Sequence, residues 1–132
     1  MDQQTRIVFE RAVALMADEL EARVDALAKA CEGLEKTQMS NLERVGLTSR
    51  RFGDVVAFVK RQTGKDKGWA QRADAKPLGQ IMVEFLEELR SRADKACDED
   101  QRLDRNELRM RLAGVCLRNM HSAYLYRREV KN

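Results

Sequence analysis

Between Phe9 and Leu34, apolar residues recur at steps of three or four: Phe9, Val13, Met16, Leu20, Val24, Leu27, Cys31 and Leu34. That period puts them on one stripe of an α-helix. Glu10, Asp18, Glu21 and Asp25 fall off the stripe. Few heptads are sustained, so the stripe fits packing within the subunit better than a coiled-coil seam. Gly33 is a suitable stop for this helix, since glycine reaches a left-handed cap cheaply.

The rest of the chain carries the same period. Thr37 and Gly46 frame a short second helix over 37–45. Thr48 or Ser49 caps a third, running to about Gln62, with Phe52, Val55, Val56 and Val59 inward. Gly53 within it weakens it. Residues 63–76, TGKDKGWAQRADAK, form the one clear loop. Pro77 suits the first turn of the next helix, which runs from Leu78 to Cys97. Its stripe is Leu78, Ile81, Met82, Phe85, Leu86 and Leu89. Asp104 and Glu107 have capping-box spacing ahead of a last helix to about Arg128. That helix buries Leu108, Leu112, Val115, Cys116, Met120, Ala123 and Tyr124. One proline and seven aromatics in 132 residues argue against a sheet-rich fold. The reading is one domain, residues 1–132, all-α, a compact bundle of about five helices.

Charge is segregated along this scaffold. Residues 1–35 hold four basic and eight acidic residues, and residues 36–76 hold ten and four. Residues 77–104 hold four and eight, and residues 105–132 hold seven and two. The net +3 hides these alternating blocks. Such a pattern fits one face for a polyanion and others for protein neighbours.

Catalytic signals are nearly absent. His121, the only histidine, sits on a helix with no evident Cys or Ser partner in sequence. Asp98, Glu99 and Asp100 lack the spaced oxygens and glycine turn of a cation loop. Gly64-Lys65 and Lys67-Gly68 do not make a Walker loop, because no strand precedes them. Cys31, Cys97 and Cys116 show no C-x-x-C spacing, and read as buried free thiols in a reducing compartment. The polar start and the lack of a long apolar run predict a cytoplasmic protein with no membrane contact, no cofactor and no metal.

Nucleic-acid binding fits the residues better. Arg44, Arg50, Arg51, Lys60, Arg61, Lys65, Lys67, Arg72 and Lys76 gather around one short helix and its loop, with Trp69 in their midst. Basic groups neutralise phosphates, and an aromatic offers a stacking face to an unpaired base. Arg127 and Arg128 could extend the track. Two alternatives stand beside this. Leu42, Val45, Gly46, Leu47, Phe52 and Val55 have helix-turn-helix spacing, with Gly46 in the turn and 49–61 as the reading helix of a DNA-binding regulator. A helical adaptor that binds only protein is the other.

The segments KTQMSNLERVG (36–46), VVAFVKRQTGKDKGW (55–69), PLGQIMVEFLEEL (77–89) and SAYLYRRE (122–129) resemble the small helical subunit of type III CRISPR effector complexes, of the Csm type and type III-D-like loci. The resemblance implies a non-catalytic bundle in a cytoplasmic ribonucleoprotein of antiviral defence. It implies guide and target RNA, backbone and large subunits, and further copies of the chain as partners. Gln38, Asn41 and Arg44 would lie on the first motif helix. Lys60, Arg61 and Lys65 would face nucleic acid beside it, with Trp69 nearby. Ser40 departs from the pattern, standing where related subunits often carry arginine.

Overall fold

The computed structural model describes residues 1–65 and 67–131. Six α-helices carry them: α1 (Gln3–Ala30), α2 (Lys36–Thr48), α3 (Phe52–Lys65), α4 (Lys67–Ala70), α5 (Leu78–Glu99) and α6 (Arg105–Lys131). A 3-10 turn, Cys31–Gly33, ends α1. The all-α class holds, with one helix more than the periodicity predicts.

The hub is α6, on which α1, α2 and α5 all pack, while α3 lies mainly on α5. Leu112 with Ala113 and Cys116 with Leu117 are buried as neighbouring pairs, which widens the apolar arc of α6 beyond one stripe. That width lets one helix serve several partners. All eight apolar positions from Phe9 to Leu34 are buried in the core, so the stripe of α1 is spent inside the subunit.

Local structure differs from the sequence reading at four places. Glu35, not Thr37, opens α2: its side chain accepts from the Gln38 backbone, and Gln38 Oε1 accepts from Glu35 N at 2.8 Å. This reciprocal capping box satisfies two orphan N–H groups where a threonine would satisfy one. Gly46 does not stop α2; it is buried within it, and a Cβ there would meet Leu117 Cδ1 at 2.6 Å. The glycine is there for close approach of α2 to α6. Gly33 lies in the 3-10 turn and has no left-handed backbone.

The segment 63–76 is not one loop. α3 runs on to Lys65, α4 follows, and Arg72–Ala73 pairs antiparallel with Lys76–Pro77. Asp74 and Ala75 make the two-residue connection at φ 55° and 69°, the sign that a hairpin's right-handed twist demands. Asp66, which the sequence reading puts in the loop, lies outside the described residues. No helix among the described residues is long and apolar enough to cross a membrane.

Candidate nucleic-acid interface

α2 and α3 form a helical hairpin, touching each other and joined by the short turn at 49–51. α4 closes its open end, because Gly68 brings α4 against Gln38 at the start of α2: a Cβ on Gly68 would lie 2.7 Å from Gln38 Nε2. The inner face of α3 buries Phe52, Val55, Val56 and Val59. Its outer face therefore presents Gly53, Ala57, Lys60, Arg61, Gly64 and Lys65, all exposed. Nothing lies near the position of a Cβ on Gly53 or Gly64, so this face is open and low in relief around its cations.

The four charge blocks meet very different fates on folding. The second basic block is largely neutralised within the molecule. Arg109 grips Asp94 with two contacts of 2.7 Å, and Arg105 reaches Asp94 at 3.3 Å and Asp98 at 2.8 Å. Arg111 pairs with Glu10 at 3.0 Å and Arg127 with Glu32 at 3.5 Å. The Arg109 guanidinium holds the Asp94 carboxyl below its usual value through these hydrogen bonds. Pairs this exposed contribute only about 0–1 kcal/mol each. Their larger effect is to remove field: these arginines of α6 offset Glu10 of α1 and Asp94 and Asp98 of α5.

The first basic block keeps its charge. Arg51 pairs with Asp54 and Lys76 with Glu84, each at 3.0 Å. Arg50, Lys60, Arg61, Lys65 and Lys67 are exposed and have no ion pair among the described residues. Arg44 is exposed and donates weakly to Asn41 Oδ1 at 3.4 Å. Lys36, which the motif reading passed over, shares its helical face with Ser40 and Arg44. Its spacing of four and eight residues from them was the available signal.

Five of the residues put forward from sequence are built into the fold instead. Trp69 is 1% exposed and belongs to the core, so its ring offers no stacking face. Gln38 is occupied by the capping box. Arg128 donates to Leu34 O at 3.0 Å and to Tyr124 Oη at 2.9 Å, with its guanidinium 5.4 Å from the Tyr124 ring centre. Arg127 is held by Glu32. Neither arginine extends a phosphate track, because each secures the end of α6 to the segment after α1. Arg72 donates to Ala75 O and stabilises the hairpin.

The helix-turn-helix reading places its turn too early. The reversal falls at 49–51, three residues beyond Gly46, and Gly46 lies inside α2. His121 does have a partner that sequence could not show. Its Nδ1 lies 2.5 Å from Glu43 Oε2, with side chains 15% and 23% exposed, joining α6 to α2. No group of three or more His, Cys, Asp and Glu side chains among the described residues is placed to hold a metal ion. Comparison with known proteins finds no matching family model, no matching curated protein and no matching solved structure.

Proposed function

We propose that this chain is a non-catalytic RNA-binding subunit that holds phosphate backbone on the outer face of its α2–α3 hairpin. The single observation that carries the reading is the uneven survival of charge. Arg105, Arg109, Arg111 and Arg127 of block four are ion-paired internally, whereas Arg44, Arg50, Lys60, Arg61, Lys65 and Lys67 remain exposed without an acidic partner among the described residues. Cations on an open helical face neutralise phosphates without reading bases. With Trp69 buried, the contact is electrostatic and indifferent to sequence.

The resemblance of residues 36–46, 55–69, 77–89 and 122–129 to small subunits of type III CRISPR complexes gives the setting: a cytoplasmic RNA-guided assembly, with this chain beside the guide and target RNA. Expression with the neighbouring genes and recovery of bound nucleic acid tests it. The wild-type chain should co-purify with short RNA and with repeated backbone subunits. Arg61→Glu/Lys65→Glu should lose the RNA and bind random single-stranded RNA at least tenfold more weakly. Unchanged RNA affinity together with unchanged assembly would refute the role of this face, and preference for duplex DNA would favour a regulator instead.

A further inference from the structure

A second surface lies on another side of α6. Glu107, Met110, Arg111, Gly114 and Arg118 form one continuous stripe of α6, which floors a groove of about 710 Å³ between the start of α1 and the end of α2. The stripe spans twelve residues, about 16 Å from end to end, which is room for about three turns of a docked helix. Leu47 at 53% exposure and Met1 at 54% stand at its mouth and offer apolar surface there. Gly114 keeps the floor low beneath Leu47; a Cβ there would meet Leu47 Cδ2 at 3.1 Å.

The rim is cationic. Arg6 comes from α1, Arg50 from the turn after α2, and Arg118 from α6. None of the three has an ion pair among the described residues, while Arg111 is already held by Glu10. Asn106 Nδ2 donates to Arg50 O at 3.1 Å and ties the turn to α6, so this wall is fixed in place.

We infer that this groove docks an acidic, amphipathic helical segment of a partner protein. Leu47, Met110 and Val115 give the groove apolar surface for the apolar side chains of such a helix, and the guanidinium rim complements carboxylates on its polar face. RNA fits the groove poorly. Phe9, the one aromatic ring in its lining, is only 5% exposed and offers no stacking face to a base. The inference is independent of the RNA face, with which it shares only Arg50.

The test is titration with a fluorescein-labelled amphipathic peptide of about 14 residues, leucine on one face and glutamate on the other. A matched peptide with lysine for glutamate and a labelled single-stranded RNA complete the set. Wild-type protein should bind the glutamate peptide saturably and at least tenfold more tightly than the lysine peptide. Leu47→Glu and Arg6→Glu/Arg118→Glu should each weaken it at least tenfold while leaving RNA affinity unchanged. All these positions are exposed, and circular dichroism verifies that the variants fold. Equal binding of both peptides, or no effect of either variant, overturns the inference. Loss of RNA binding in Leu47→Glu reassigns the groove to nucleic acid and overturns it as well.

Discussion

Gly79→Ala sets two physical effects against each other at the contact that holds the basic face in place. Helix propensity alone makes alanine better than glycine by up to about 1 kcal/mol. The α3–α5 contact predicts the opposite. A Cβ on Gly79 would lie 2.7 Å from Thr63 Cβ and 2.8 Å from Thr63 Cγ2, with Thr63 Oγ1 nearer still. Rotating Thr63 does not relieve this, because its Cβ cannot move with χ1, and its hydroxyl donates to Val59 O at 2.7 Å. The helices must part by several tenths of an ångström, and Val59, Leu78 and Met82 are fully buried in the core around them. Overpacking of this kind costs about 1–3 kcal/mol, so with the propensity gain offset the net loss is about 1 kcal/mol. Urea denaturation should show a midpoint lower by about 0.5 M at an unchanged slope. Thr63→Ala in the same chain should recover about 1 kcal/mol as a coupling energy. A stabilised Gly79→Ala, or additive double-mutant energies, would refute the close approach and with it the seating of α3.

Other expectations follow from the same contacts. Asp94→Asn should lower stability at pH 7 by up to about 1 kcal/mol through loss of the charged hydrogen bonds to Arg109. Its folded carboxyl is held below the ordinary 3.8, so the stabilisation is present above that value and lost as pH falls through the lower folded one. The gap between wild type and variant, measured by urea midpoints, should close in strong acid. Burial pushes the Cys31 thiol up to about 12 and Cys116 up to about 11. Native protein at pH 8 should therefore resist a thiol reagent at both, and unfolded protein should react fully. Ala75→Gly should stabilise the hairpin by about 1 kcal/mol, because Ala75 holds a left-handed φ that costs an L-residue about that much; thermal melting reads it.

Periodicity was enough to find the long helices and their inward faces. Phe9 to Leu34 and Phe52 to Val59 are buried where a step of three or four puts them, since that signal is local to each helix. Glycines were harder. Gly46 ends a helical stretch in composition, yet its role is set by Leu117, far along the chain. Trp69 sits among lysines in sequence and is drawn inward all the same, as a large apolar ring is when a short helix gives it a core to enter. The charge blocks were plain to see, but which of them survive was not. Arg111 and Glu10 are 101 residues apart, and Arg109 and Asp94 lie on different helices. Only the packing of α1 and α5 on α6 decides that Arg105, Arg109 and Arg111 of block four are paired and block two is left facing outward.

The salt dependence of RNA binding tests that division most directly. Each phosphate neutralised on a single strand contributes about 0.7 to the slope of log affinity against log salt. Lys60→Ala/Arg61→Ala/Lys65→Ala should therefore flatten the slope by about 2 relative to wild type, while Arg105→Ala, whose guanidinium is engaged by Asp94 and Asp98, should leave it unchanged. An unaltered slope in the triple variant, or an equal flattening in Arg105→Ala, would contradict the account.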